Sequence, residues 1–551
     1  MNKKSTIYIL IFLTTLFIQC SKIIDEAYKN PNFDVRVPVE TLLPQIISSM
    51  AANGAGHGPL NDIRYVGQYI QNFSYINGGD ASTQSFFERM GYNNNDVAQS
   101  TWRTHYYDIG QNNLNMINWA TEEERWDYVG VGKAIFAWSW LMLTDYYGDV
   151  ILDEAFNNNG NSFTYQKQEE VYKFVKKLCF ESLTFLNRTD GNVSSELLAK
   201  GDAYFYNGDI SKWKKFVYGI LARVNSRGSI KSDFNADSVI KYCDLSIQSN
   251  SDNGYVKFAA TALSATNNFF GPFRSNLTGA STSGATNVKQ SKFIVDLMTG
   301  VSGSAFEGVF DPRSFYLLRI NNSKTYKGVE SLKGQGILGI NDRPESFWGV
   351  AGSATIYTTN SDTNCRYIFR NSSPIPIITA SEISFLKAEA AFRKGDKSTA
   401  LLSYKNGIDQ NIEMLRTNYN ANLKLDSAIT ATKKTNFFNN IKIVPTNENL
   451  LNLTQIMLQK YISMYIHGAM ETWVDMRKNH YTDIDPATGS QIYKGFNVPS
   501  QTDLFPDNNG KLVYRVRPRF NSEYVWNITE LKRIGATDLD YHTVQTWFSI
   551  K

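Results

Sequence analysis

Between Val131 and Met142 the apolar residues recur as they do on one face of a long helix. Val131, Ala134, Ile135, Trp138, Leu141 and Met142 fall at the i, i+3, i+4, i+7 spacing, and Asp145 continues the same row. Gly148 follows where a left-handed C-terminal cap is wanted. A helix this apolar has to be covered by others, which points to a mainly α chain. Lys214 to Arg227 reads as a second helix, with Trp213, Phe216, Ile220 and Val224 along it. Thr379-Ala380-Ser381-Glu382 has the form of a capping box, in which the threonine side chain and the glutamate satisfy each other's free amides. The helix it opens runs to Lys394 and breaks at Gly395-Asp396. A partner helix carries Ala400, Leu401, Tyr404 and Ile408. Helix, Gly-Asp turn and helix with small residues at the crossing make one tetratricopeptide-like unit, although no regular 34-residue period extends along the chain. Residues 453–478 form another helical tract, and 479–551 is irregular with a closing aromatic cluster of Tyr524, Trp526 and Trp547.

From 250 to 375 the texture changes. Ser, Thr, Asn and Gly dominate, short β-like runs appear and helical periodicity fades, so this is loop-rich territory of the kind that carries binding residues. Aromatic residues make up 13% of the 551-residue chain. Most of them are expected in a large helical core, with a smaller share left for a stacking surface. A net charge of +4 without any Lys/Arg run gives nothing that could track a phosphate backbone, which excludes nucleic acid as the partner.

The N-terminus reads as an export signal. Lys3 and Lys4 precede an apolar stretch from Ile7 to Ile18 that is too short to span a bilayer. The stretch runs into Leu16-Phe17-Ile18-Gln19-Cys20, which resembles a bacterial lipobox with Phe17 and Gln19 in place of the usual small residues. Residues 1–19 are therefore expected to be removed and Cys20 to be lipidated. Residues 20–45, marked by Asn30-Pro31, Val37-Pro38 and Leu43-Pro44, would form the tether. The other cysteines, Cys179, Cys243 and Cys365, are widely spaced and read as small buried apolar residues.

Signals for chemistry are few. His57, His105, His467, His480 and His542 show no metal-ligand spacing, and no cofactor motif holds up. Gly334, Gly336 and Gly339 match a dinucleotide pattern, but no buried strand precedes them and a proline-marked turn replaces the helix the motif needs. Glu471 and Asp475 lie a helical turn apart and could imitate a glycosidase pair. With Lys478 on the same face and Arg477 beside it, a structural ion network is the expected reading.

Six blocks, taken in order, resemble one family. They are KAIFAWSWLMLTDYYGDVILDEAF (133–156), GDISKWKKFVYGILARVNSR (208–227), FDPRSFYLL (310–318), ASEISFLKAEAAFRKGD (380–396), ETWVDMRKNHY (471–481) and Arg517-Pro518-Arg519-Phe520 with Ser522-Glu523-Tyr524. Together with the lipobox they resemble the SusD/RagB family, with Ile151 standing where the family usually has proline. The resemblance implies a single SusD-like domain over 46–551. Its scaffold of tetratricopeptide-like helix pairs would occupy about 46–250 and 376–480, and a loop-rich, partly β ligand lobe about 251–375. It implies a non-enzymatic lipoprotein on the outer-membrane surface, anchored to the membrane by its N-terminal lipid. This protein would capture an oligosaccharide or oligopeptide and cap a TonB-dependent barrel of the SusC type. A surface glycoside hydrolase and a purely structural outer-membrane lipoprotein are the alternatives. The ligand face is then sought in three aromatic loop stretches, Phe73 to Tyr75, Asn267 to Arg274 and Glu345 to Gly349. Tyr75, Phe270 and Trp348 are the candidate stacking platforms, and Asn268 and Arg274 the candidate polar contacts. The competing reading is that these rings seal the lobe's own core.

Overall fold

In the computed structural model, residues 36–52, 56–57, 61–78, 86–92, 100–157, 160–274, 288–349, 362–420, 426–518 and 520–551 are described. The expected signal, Cys20 and most of the tether lie outside them. Helix α1 (Val39–Met50) starts within the last residues expected to be tether, because Val39, Leu43, Ile46 and Ile47 place one apolar stripe against the scaffold. Pro44 inside this helix removes one backbone donor without ending it. After α2 (Asn61–Tyr69) and strand β1 (Phe73–Tyr75), helix α3 (Ser100–Arg103) continues through a π-helical segment (Thr104–Gln111) into α4 (Asn112–Glu122).

The axis of the scaffold is α5 (Trp126–Tyr147). The sequence shows one apolar face, whereas the structure buries this helix on every side, Tyr128, Phe136, Trp140 and Tyr146 included. A helix apolar all round belongs in the centre of a bundle. Gly148 ends it with φ +81° and ψ −113°, so the cap is not the left-handed helical one the sequence suggests. Its N–H donates to the Thr144 carbonyl at 2.8 Å, and the Thr144 hydroxyl donates to the Gly148 carbonyl at 2.7 Å. Glycine is needed twice over, for the positive φ and because a Cβ would lie 2.9 Å from the Arg515 guanidinium.

Strands β2 (Val150–Ile151) and β3 (Tyr165–Gln166) pair antiparallel ahead of α6 (Gln168–Leu186), which packs along α5. Helices α7 (Ser195–Asp202), α8 (Ile210–Ser226) and α9 (Ala236–Leu245) follow. Helix α8 begins four residues before the expected Lys214, because the Asp209 side chain caps it by accepting the Lys212 N–H at 3.1 Å.

The loop-rich stretch is closed at its base. Strand β4 (Gly254–Val256) pairs with a strand at residues 375–378, so the chain leaves and re-enters the scaffold at one joint. Within the stretch, β5 (Val288–Gln290) pairs with β1, and α10 (Lys292–Thr299) and α11 (Ser314–Leu317) are its helices among the described residues. The strand that closes the joint is β6 (Ile375–Ile378). The glycines of the dinucleotide-like match sit in and beside short 3-10 turns, as a chance match requires.

The tetratricopeptide-like unit is α12 (Ala380–Lys394) and α13 (Lys397–Asn418). Gly395 caps the first in the left-handed region, and the Asp396 side chain opens the second by accepting the Thr399 N–H at 3.0 Å. Gly407 lets the pair close, since a Cβ there would meet the Phe385 ring at 2.8–2.9 Å. The capping box is only half made. Thr379 accepts the Glu382 N–H at 3.2 Å, but the Glu382 carboxylate turns to Arg223 at 2.6 and 2.7 Å.

After α14 (Ala431–Phe438), the expected tract 453–478 is two helices, α15 (Leu453–Ser463) and α16 (Ala469–Lys478). Ile466, at φ +69°, breaks it and donates its N–H to Asn72 Oδ1 at 3.1 Å. Beyond the hairpin of β7 (Ile484–Asp485) and β8 (Ser490–Gln491) lie α17 (Asn521–Trp526) and α18 (Ile528–Arg533). The closing aromatics do not cluster. Trp526 is exposed, Trp547 stands edge-on to Tyr172 at 5.6 Å, and the Tyr524 hydroxyl takes Arg517 at 2.6 Å.

Charge runs through the helical core. Arg227 donates to Asp145 at 2.6 Å and to Glu471 at 2.8 Å, and Arg223 lies 3.7 Å from Glu471. Asp475 pairs with Lys460 at 2.7 Å and with Lys478 at 3.1 Å, and Lys478 reaches Glu389 at 3.3 Å. Glu471 and Asp475 are thus spent on holding α8, α12, α15 and α16 together. Burial alone would raise the Glu471 carboxyl, but Arg227 and Arg223 outweigh it and hold it at about 2.

Burial also pushes the imidazoles of His105 and His467 down to about 3 and that of His542 to about 4. In all four groups the unfolded chain takes up its proton at a higher pH than the native one does. The share of stability these four groups contribute is therefore full above about pH 6.5 and falls as acid is added, first through the histidines and then, below about 4.5, through Glu471. It outweighs the opposite effect of Glu88 and Asp202, whose carboxyls burial raises to about 7 and about 6. Melting temperatures measured from pH 8 to pH 4 should decline throughout the lower part of that range. A flat profile between pH 6.5 and pH 4 would contradict the burial of these groups.

Candidate ligand-binding site

Four of the five residues singled out from the sequence point inward. Tyr75 lies in β1 and is buried, with its backbone N–H donating to Glu88 at 2.7 Å. Phe270 is fully buried, and its carbonyl accepts the Trp348 indole N–H at 2.7 Å. Trp348 is buried edge-on to Phe369 at 5.2 Å. Asn268 is buried too. Its amide donates to the Ser373 carbonyl at 2.6 Å, and its Oδ1 accepts the Phe270 N–H at 2.7 Å. The Gly271-Pro272 turn, within the stretch Asn267 to Arg274, does not present Phe270 to solvent. Instead it is sewn to 371–373: Asn268 donates to the Asn371 carbonyl at 2.9 Å and Phe273 to Asn371 Oδ1 at 3.1 Å, which swings Phe270 into the lobe. Phe270 and Trp348 belong to the hydrophobic core and Tyr75 is buried in β1, so none of the three rings is exposed. Arg274 alone borders a hollow.

Three hollows bear on ligand binding. The largest, about 750 Å³, lies among residues 229–234, 392–393 and 483–486. Of its charged groups, Arg393 pairs with Glu389 at 2.9 Å and Lys231 donates to the Ile550 carbonyl at 3.0 Å. A groove of about 450 Å³ runs between the lobe and α14. The third, about 270 Å³, holds Arg274.

The groove beside α14 is built on a buried ion pair. Asp311 and Arg313 bond to each other through both carboxylate oxygens, and Arg313 also donates to Asn411 Oδ1 at 2.9 Å and to Gln459 Oε1 at 2.6 Å. This clamps the Asp-Pro-Arg turn onto α13 and α15. Just before it, the Asp311 N–H donates to the Met298 carbonyl at 2.7 Å, and Gly308, at φ +77°, donates to the Gly300 carbonyl at 2.8 Å. With the backbone pinned on both sides, Phe310 is held out at the surface, 54% exposed. Tyr326 lies 5.8 Å from it, ring centre to ring centre, and Phe315 adds a third, partly buried ring beneath the Arg366 guanidinium at 3.8 Å.

The opposite wall is α14, opened by the Thr430 side chain, which accepts the Lys433 N–H at 3.2 Å. Phe437 is buried under it, while Asn436 and Asn440 border the groove. Asn440 Oδ1 accepts the Lys442 N–H at 3.0 Å, leaving its NH₂ without a hydrogen bond to the described residues. The Asn436 amide has no such bond either. Lys433 is occupied by the carbonyls of Asp426 and Ala428. Exposed ring faces opposite amides with donors to spare can hold a ligand that is apolar on its faces and hydroxylated at its edges. Sequence reasoning missed this groove, although Phe310 stands immediately before the Asp-Pro-Arg turn in one of the six blocks.

Among the described residues no group of His, Cys, Asp and Glu is arranged to hold a metal ion, and no helix is long and apolar enough to cross a membrane. Cys179, Cys243 and Cys365 are buried and form no disulfide among the described residues.

Comparison with known proteins agrees with this architecture. Residues 31–503 match the family model described as starch-binding, associating with outer membrane. A search of curated proteins gives no match. Among solved structures, a chitin-binding protein superposes with a TM-score of 0.65 at 20% identity, covering 93% of this chain and 100% of its own. A SusD/RagB family protein from Bacteroides thetaiotaomicron VPI-5482 gives 0.64 at 19% identity, with 93% and 99% covered. A chitin-binding SusD homolog from Flavobacterium johnsoniae gives 0.62 at 16% identity, with the same coverage. At these identities the structures establish the fold.

Proposed function

This chain belongs to the SusD-like family, and from that membership and the groove beside α14 we propose that it is a lipid-anchored, cell-surface protein that captures an oligosaccharide and passes it to a TonB-dependent transporter of the SusC type. The observation that carries the ligand reading is the exposed ring of Phe310, set beside Tyr326 and across from the amides of Asn436 and Asn440. Sugar rings present C–H faces for stacking and hydroxyls for amides. A glycan is favoured over a peptide because the matching family is described as starch-binding and two structural neighbours as chitin-binding. The carboxylate pair that could imitate a glycosidase, Glu471 and Asp475, is taken up by Arg227, Lys460 and Lys478, which speaks for binding over hydrolysis at that helix. Anchoring is assigned to Cys20, where several acyl chains would hold stably at roughly 0.8 kcal/mol for each buried methylene.

Anchoring and capture are tested together on cells. The wild-type protein should take up a fatty-acid analogue, stay in the outer membrane and hold fluorescent malto- or chito-oligosaccharide at the surface without shortening it. Cys20→Ala should lose the label and release the protein. A retained, labelled variant would refute the anchor, and failure to hold either saccharide would refute the ligand class.

A further inference from the structure

We propose that the smaller hollow, between the start of α1, the end of α7 and residues 256–274, binds an acidic sugar unit, one bearing a carboxylate or a sulfate. The inference rests on the glycan reading above for the saccharide and on this hollow alone for the charge. Lys200, Lys257 and Arg274 line it, and none of the three forms an ion pair with a described residue. Arg274 is fixed in place. Its guanidinium donates to the carbonyls of Ala265 at 2.7 Å and Asn267 at 3.1 Å and lies 3.7 Å from the centre of the Phe269 ring.

The carboxylate that feels Lys257 is Asp202, and it is not available to neutralise the site. It is fully buried, with one oxygen on the Trp213 indole N–H at 2.8 Å and the other on the Gly208 N–H. Lys200 also sits in the last turn of α7, where the helix dipole favours a cation, but that accounts for one of the three charges. Half-buried arginine without an acid is the arrangement that gains most from an incoming anion.

The rest of the lining argues for a sugar instead of a bare anion. Tyr204 is 50% exposed at the rim, and Phe258 and Ile47 supply apolar wall. Inorganic phosphate or sulfate would leave those surfaces uncovered, whereas a pyranose lays its C–H face on them while its acid group meets the cations. A volume near 270 Å³ lies just below the range for small-molecule pockets, about 300–1,000 Å³, and suits one residue of a chain. No lining residue is shared with the groove beside α14, so the two sites can be altered separately.

The test titrates the mature protein with trigalacturonate, a sulfated chondroitin disaccharide, neutral chitotriose, sodium sulfate and anionic phosphatidylglycerol vesicles. At least one acidic saccharide should bind, and its affinity should fall about tenfold or more when salt rises from 0.05 to 0.5 M. Lys257→Gln and Arg274→Gln should each weaken it by roughly 10- to 100-fold, while chitotriose binding is unchanged. Lys257 is exposed, so its variant stays informative even if Arg274→Gln loosens the loop. The proposal is overturned if neither acidic saccharide outbinds chitotriose, or if neither substitution moves it. Equal, Lys257-dependent binding of free sulfate or of vesicles would overturn the saccharide assignment. Chitotriose binding without acidic-sugar binding sinks this proposal and leaves the glycan reading intact. Binding of no saccharide at all sinks both.

Discussion

Arg227→Ala should lower the free energy of unfolding by about 3–5 kcal/mol, the range for removing one partner from a buried ion pair. Arg227 is fully buried and is the direct partner of two carboxylates, Asp145 at 2.6 Å and Glu471 at 2.8 Å. Its removal leaves Asp145 with the Tyr172 hydroxyl at 2.6 Å as its remaining side-chain donor, and Glu471 with only the longer contact to Arg223. Asp145 is fully buried and the Glu471 side chain only 12% exposed, so the cost is mainly that of stranded charge and not of a lost surface contact, which would be about 0–1 kcal/mol.

Asp145→Asn alone should also destabilise. The double variant Asp145→Asn with Arg227→Ala should cost less than the sum of the two, because the residues share one interaction. Urea unfolding at pH 8, where the histidines discussed above are neutral in both states, isolates this effect from protonation. A loss under about 1 kcal/mol for Arg227→Ala would mean that water reaches the network and that the core is looser than the described packing.

The same residues show what could be read from the chain and what could not. Local chemistry was legible. The Gly395-Asp396 break between α12 and α13 is made within five residues, Gly395 to Thr399, although the equally local Asp209 cap went unread and α8 starts four residues early. Where a distant partner competes, local reading fails. Glu382 stands in the capping-box position, yet an isolated backbone amide cannot outbid a bidentate arginine supplied by α8, 159 residues earlier. One apolar face was visible along 131–142, but the helices that cover the other sides of α5 come from elsewhere in the chain. Loop composition marks where rings are, not which way they face. Phe270 and Trp348 turned inward because 371–373, a hundred residues beyond Phe270, supplies the bonds that fold the turn. The groove beside α14 joins Phe310 to Asn436, and no spacing rule links positions that far apart.

Phe310→Ala should weaken oligosaccharide binding by about 1–3 kcal/mol, by analogy with base–aromatic stacking, which is roughly 5- to 150-fold in Kd. The ring is more than half exposed and its backbone is held by the Asp311–Arg313 clamp, so truncation removes a stacking face without opening a cavity. Thermal stability should therefore stay within about 0.5 kcal/mol, as for other surface changes. Asn436→Ala removes one hydrogen-bonding amide from the facing wall and should cost about 0.5–1.5 kcal/mol. The two residues lie on opposite walls and touch through the ligand, so the double variant should lose about the sum. Calorimetric titration with malto- and chito-oligosaccharides decides the matter. Loss of binding in both variants at unchanged melting temperature places the ligand between Phe310 and α14. Full affinity in both would move it away from this groove, because Phe310 is the most exposed of the rings lining it and Asn436 stands on the facing wall.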